Sequence, residues 1–139
     1  MAKFSDQFEA FCGLASQLAK VHRTDAVLYL LDRATDWKRL HAATDVESVV
    51  IASDTEEAIS GAADEGFETI FLNMPDAPVY ERLTQALLDG VADECFSAGA
   101  TIVAAYSGFE SGMVDSLSLI HLDEHLGRLT VRDLRQIKT

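Results

Sequence analysis

Four short polar stretches hold the residues whose types and spacing could do chemistry. The first is Asp32-Arg33-Ala34-Thr35, directly after the apolar run Ala26–Leu31. A guanidinium there can clamp a carboxylate or phosphate through paired donors. The favoured alternative is a salt bridge with Asp32, Asp36 or Glu110, since an arginine beside so many acids is easily satisfied, and Asp32 and Arg33 are expected to pair with each other. The second stretch is Ser53-Asp54-Thr55-Glu56. Its Ser-x-x-Glu spacing marks a helix start, and the backbone amides of such a start can either be capped by Ser53 and Thr55 or face an anion. The third is Ser107-Gly108-Phe109-Glu110-Ser111-Gly112, polar except for Phe109, which either closes over a ligand or simply connects two strands. The fourth, His121-Leu122-Asp123-Glu124-His125, matches the His-x-x-Glu-His string of some zinc peptidases, whose ligands converge from successive turns of a helix. Here the string starts on an alternating strand and runs into Gly127, which points the groups apart, so no metal site is expected.

Several catalytic signatures are missing. No Gly-x-Gly-x-x-Gly follows the first strand, as a dinucleotide site would require, and no Gly-x-x-x-x-Gly-Lys-Ser/Thr phosphate loop occurs. There is no Gly-x-Ser-x-Gly nucleophile elbow. A receiver domain would need an acidic pair after strand 1 and a lysine after strand 5. The chain has Asp32 alone and no suitable lysine. Neither a catalytic residue nor a cofactor is expected.

The elements that position these stretches follow from apolar periodicity. Phe4, Phe8, Phe11, Cys12, Ala15, Leu18 and Ala19 recur at helical steps, with Asp6 and Glu9 spaced as a capping box. Ala26–Leu31 is short and wholly apolar, as suits a strand covered on both faces. Thr35 or Asp36 then caps a short helix through Trp37, Leu40 and Ala43, in which Trp37 is read as packing. Ser48 to Ala52 is a second strand, followed by a helix with Ala58, Ile59, Ala62 and Ala63 inward and Gly66 just past its end. Glu68 to Leu72 is a third strand. Pro78 is tolerable in the first turn of a longer helix through Val79, Leu83, Ala86, Leu87, Val91, Cys95 and Phe96, with Gly90 marking close packing or a slight irregularity and Gly99 the stop. Thr101 to Tyr106 is a fourth strand. The link to Leu117 and Leu119 is too short for a crossover helix, so the fifth strand runs antiparallel at an edge.

Strands alternating with helices and joined by right-handed crossovers give a three-layer, doubly wound α/β sheet. The expected order is 3-2-1-4, four parallel strands with antiparallel strand 5 outside strand 4. Ligands favour the crevice at the carboxyl ends of strands flanking such a reversal. This sets Asp32, Arg33 and Thr35 opposite Ser107, Gly108, Glu110 and Ser111, and Ser53 and Thr55 complete the candidate ligand-binding set.

The chain has 139 residues, 48% of them apolar, enough for one core without metals or disulfides. Its net charge of −12 argues against nucleic acid and anionic membranes as partners. No apolar stretch approaches the ~20 residues of a membrane helix. The first residues lack a signal-peptide pattern, and Cys12 and Cys95 read as buried free thiols in helices, so a cytoplasmic setting is expected. The last fourteen residues are basic, with Arg128, Arg132, Arg135 and Lys138 against Asp133. Val131, Leu134 and Ile137 are spaced as a helix, so residues 1–128 read as the domain and 129–139 as the start of a linker helix to a downstream domain.

Ala-Val-Leu-Tyr-Leu-Leu, Val-Val-Ile-Ala-Ser-Asp-Thr-Glu-Glu-Ala and Gly-Ala-Thr-Ile-Val-Ala-Ala-Tyr-Ser-Gly, followed by an edge strand, resemble the C-terminal domain of pyruvate kinase. The resemblance implies allosteric effector binding and subunit contacts. In that family the loop after strand 1 is rich in Ser and Thr. Here only Thr35 remains, beside Asp32 and Asp36. The closing Val131-Arg132-Asp133-Leu134-Arg135-Gln136-Ile137-Lys138-Thr139 resembles the linker that joins such a domain to the cyclase domain in some bacterial and archaeal diadenylate cyclases. The cyclase signatures Asp-Gly-Ala and Arg-His-Arg are missing, and Asp89-Gly90-Val91 lies within a helix. This second resemblance implies a non-catalytic regulatory or oligomerisation domain of a cyclic di-AMP-synthesising protein, a homo-oligomer with a covalent cyclase partner. The competing expectation is a free-standing binder of an anionic metabolite, or a minor enzyme, using the strand 1/strand 4 crevice.

Overall fold

The computed structural model describes residues 4–109 and 112–124. Glu110, Ser111, His125 and the expected linker helix at 129–139 lie outside them, as does the boundary proposed at 128. The elements run α1 (Asp6–His22), β1 (Ala26–Leu31), α2 (Trp37–Ala43), β2 (Val49–Ser53), α3 (Glu56–Asp64), β3 (Glu68–Phe71), α4 (Val79–Ala92), β4 (Thr101–Tyr106) and β5 (Ser116–His121). The five strands form one sheet in the order β3-β2-β1-β4-β5. β1 through β4 are parallel, and β5 lies antiparallel to β4 with Tyr106 opposite Ser116 and Thr101 opposite His121. The expected fold class is therefore the observed one.

Alternation along the strands divides the core in two, because successive side chains leave a strand on opposite faces. Val27, Tyr29, Ile51, Val103 and Ala105 meet Cys12, Ala15 and Ala19 of α1, Leu40 of α2 and Ala62 of α3. Leu28, Leu30, Val50, Ile102 and Ala104 meet Leu83, Ala86 and Leu87 of α4, with Phe96 and Leu122. All six residues of β1 are buried, which is why its sequence has no polar alternation. On the α1 side Trp37 packs edge-on to Phe67, their rings 6.2 Å apart, and a Cβ at Gly61 would lie 2.5 Å from the Trp37 indole nitrogen.

Local signals needed correction at several ends. Ser5, not an Asp6/Glu9 box, caps α1 by accepting from the Phe8 amide at 3.1 Å. Thr55, not Ser53, caps α3 by accepting from Ala58, while Ser53 Oγ accepts from the Thr55 amide just ahead of the helix. Pro78 stands just before α4 rather than in its first turn. α4 stops at Ala92 because the backbone turns left-handed at Glu94 (φ 61°) and the Cys95 amide folds back onto the Gly90 carbonyl. Cys95 is thus half-buried in a turn, whereas Cys12 is buried in α1. Gly66, at φ 97° just past α3, takes the left-handed position its type favours.

A small polar network sits beneath α1. The Tyr29 and Thr44 hydroxyls share a hydrogen bond of 2.6 Å, and Ser16 Oγ donates to the Cys12 carbonyl while accepting from the Asp45 amide. Burial raises the Tyr29 phenol far above its ordinary range, so it stays a neutral hydrogen-bonding group. Tyr29→Phe would leave the buried Thr44 hydroxyl without this partner and should cost about 1–2 kcal/mol. In urea this would appear as a lower midpoint with an unchanged slope.

Candidate functional site

The parallel strands deliver their carboxyl ends to one rim of the sheet, where β1 and β4 lie side by side and the chain reverses its winding. Leu31 ends β1 and hands the backbone to Asp32, Arg33, Ala34 and Thr35, before Asp36 caps α2 through the Arg39 amide. Across from it, β4 leads into Ser107 and Gly108. The Asp115 carboxylate gathers this connection by accepting from the amides of Gly108 (2.8 Å) and Phe109 (3.2 Å) and from the Ser116 hydroxyl (2.9 Å). Between the two lies a crevice of about 240 Å³. Its polar wall includes Asp32, Arg33, Thr35 and Ser107, and Phe8, Leu31, Met113 and Val114 supply apolar surface.

A charge cluster stands behind this crevice. Arg82 Nη1 lies 3.0 Å from Asp32 Oδ1 and 3.0 Å from Asp54 Oδ2, with its side chain 13% exposed. Its Nε donates to the Ala77 carbonyl at 3.2 Å. The second oxygen of each carboxylate is also engaged: Asp32 Oδ2 accepts from the Gly112 amide at 2.7 Å and Asp54 Oδ1 from the Met74 amide at 2.9 Å. One arginine thus ties together the loops that follow β1, β2, β3 and β4. Burial pulls the guanidinium down, but the carboxylates on either side outweigh it and leave Arg82 above its usual range. It remains a cation at every accessible pH.

This overturns the pairing of Asp32 with Arg33. Asp32 belongs to Arg82, and Arg33 is exposed and makes no ion pair among the described residues. Its guanidinium lies over Gly112, where an added Cβ would come within 2.9 Å of Nη2. Of the other candidates, Thr35 and Ser107 stand in the crevice wall with Asp32 and Arg33. Gly108 is close by but committed to Asp115, and a Cβ on it would strike the Ser116 hydroxyl at 2.5 Å. Ser53 and Thr55 are occupied in the turn and cap at the end of β2 and do not line the crevice. Glu110 and Ser111 lie outside the described residues.

Arg82 escaped sequence reasoning because it fits no motif and no apolar stripe. A signal was present nonetheless. It falls in the first turn of α4, where the helix dipole disfavours a cation, and the topology brings that turn to the rim where Asp32 and Asp54 end their strands. The apolar contribution of Phe8 and Val114 was hidden for another reason, since helical spacing assigned Phe8 wholly to the core.

Nucleophilic chemistry finds little support in the thiols. Burial pushes the Cys12 thiol up, and burial with Glu68 and Asp93 nearby pushes Cys95 to about 11. Neither forms an appreciable thiolate at neutral pH. No group of three or more metal-ligating side chains occurs among the described residues. His121 is exposed, with Nδ1 3.3 Å from the Thr101 hydroxyl. Among the described residues no helix is long and apolar enough to cross a membrane.

Sheet order and layer arrangement give a pyruvate kinase C-terminal-like α/β fold. A Cryptosporidium parvum pyruvate kinase superposes with a TM-score of 0.66 at 15% identity, covering 82% of this chain and 22% of its own. The C. parvum pyruvate kinase in complex with ADP gives 0.67 at 17% identity, covering 82% and 23%. The chain therefore spans less than a quarter of these enzymes, and at such identity the likeness establishes the fold alone. By sequence, the chain belongs to the DacZ_P family, described as a probable sensor domain, whose model matches residues 7–130. No curated protein sequence is similar enough to match.

Proposed function

We propose that this chain is the non-catalytic sensor domain of a diadenylate cyclase-type protein. In this reading the crevice between β1 and β4 is the effector site, residues 1–128 form the sensing unit, and 129–139 begin the connection to a cyclase domain. The DacZ_P match over residues 7–130 is the observation that carries it. The rim geometry adds support, since a single arginine couples four loops and an effector at one loop is felt by the others. The domain acts in the cytoplasm by changing how two cyclase units meet, either through its own pairing or by a ligand-dependent orientation of the attached cyclase domain.

The test compares the parent protein with a version lacking residues 1–128. Cyclic di-AMP formation, or its dependence on added metabolites, should change by about fivefold or more, the lower end of ordinary allosteric coupling. Equal rates, equal metabolite dependence and equal oligomeric state in the two versions would remove the sensor role. A reading frame that stops after Thr139 would instead favour the free-standing metabolite binder built on the same crevice.

A further inference from the structure

The crevice has a charge pattern that selects among ligand classes. We infer that it takes a zwitterionic α-amino acid with an aliphatic side chain, an inference that rests on reading the crevice as the effector site. Four observations converge. Thr35 is 3% exposed, stands in the crevice wall, and its Oγ1 is buried with no hydrogen-bond partner among the described residues. Such an orphan is costly unless something bound supplies the partner. Arg33 is the cation at this wall that no described acid neutralises, because the Arg82 guanidinium is already shared between Asp32 and Asp54. It can receive a carboxylate through two parallel N–H donors.

Asp32 stands next to Arg33 in the same wall. Each of its oxygens accepts one hydrogen bond, from Arg82 and from the Gly112 amide, and a carboxylate has about four lone-pair sites, so each oxygen can still accept from an ammonium. Finally, Phe8, Leu31 and Val114 give the ligand's side chain apolar contact.

Size and net charge weigh against the main alternatives. The crevice, at about 240 Å³, falls below the ~300–1,000 Å³ of pockets for drug-sized ligands, which suits a small ligand. A phosphate ester would bring about two negative charges to a rim where, among the described residues, Asp32 and Asp54 already share Arg82 and Arg33 is the cation left to meet them. A zwitterion brings no net charge and engages both signs already present.

The test is a thermal-shift and calorimetric screen of the 139-residue chain against the full set of proteinogenic L-amino acids. Inorganic phosphate, a sugar phosphate, and the N-acetyl and methyl-ester derivatives of any amino acid that binds complete the panel. An aliphatic amino acid should bind, and either derivative should weaken it by at least about tenfold, since each removes one charged contact worth roughly a factor of ten. Arg33→Ala should weaken binding by a similar factor, at least about tenfold. Thr35→Val should weaken binding while leaving the unliganded chain at least as stable, because it removes the orphaned hydroxyl. The inference is overturned if no amino acid binds at millimolar concentration, if the derivatives bind equally well, if phosphate or the sugar phosphate binds instead, or if Arg33→Ala is without effect. A sensor role fails separately, in the deletion comparison of cyclase rates, which does not depend on what the crevice holds.

Discussion

Replacing Arg82 with methionine should destabilise the domain by roughly 2–4 kcal/mol, lowering its melting temperature by on the order of 10 °C. Methionine keeps most of the aliphatic stem, so the loss is chiefly electrostatic. It leaves Asp54, with a side chain 8% exposed, and Asp32, at 22%, facing each other without the cation between them. Asp32 keeps enough solvent to place the cost below that of a fully buried pair. A compensation experiment separates this cause from simple packing loss. Combining Arg82→Met with Asp32→Asn and Asp54→Asn should recover a substantial part of the stability, because the charges that needed the arginine are then gone. If the triple variant is as unstable as the single one plus the sum of the two amide substitutions, the cluster is not an electrostatic unit. Arg82→Lys is expected to fall between wild type and methionine, since an ammonium is a point charge and cannot bridge two carboxylates while also donating from Nε to Ala77.

Gly90→Ala should cost about 1–3 kcal/mol even though alanine is the better helix former. An added Cβ would sit 2.2 Å from Phe96 Cζ and 2.8 Å from both Cε atoms. The ring cannot simply swing aside, as Phe96 is 7% exposed and belongs to the core between α4 and the sheet. The Gly90 carbonyl also receives the amides of Cys95 and Phe96, so the turn that ends α4 is tied to the residue being crowded. The check is a thermodynamic cycle with Phe96→Leu by urea unfolding. If the clash is the cause, the alanine substitution costs much less in the leucine background. Additive losses would put the effect elsewhere.

Both predictions bear on how much of the molecule is legible in its chain. The close approach at Gly90 was only half legible, because a glycine inside an otherwise regular amphipathic helix marks either a close neighbour or a slight irregularity, and the Phe96 ring decides for the first. The sheet order was legible because β1 and β2 are continuous apolar runs, and the short 107–115 connection cannot form a crossover. Arg82 was not legible, since its partners lie 28 and 50 residues away and meet it only when the sheet closes. The same blindness misassigned Asp32 to Arg33: neighbours in sequence at the end of a strand alternate in direction, and proximity along the chain outweighed that fact. Helix starts showed a smaller version of the problem. Ser53 and Thr55 both carry a hydroxyl, and only the backbone geometry decides which one caps.

The reversed direction of β5 has one further consequence. β1, β2, β3 and β4 all end at the rim that holds the crevice, but β5 begins there, beside Gly112 and Asp115, and runs away from it to pair His121 with Thr101 at the opposite pole. Six residues of extended chain span about 20 Å. The backbone that leaves the crevice rim therefore arrives, one strand later, at the far end of the domain, where Leu122 donates its amide to the Ala100 carbonyl. β5 thus joins the two ends of the sheet: one end is held by the loop that Asp32 grips through the Gly112 amide, and the other leads to residue 124.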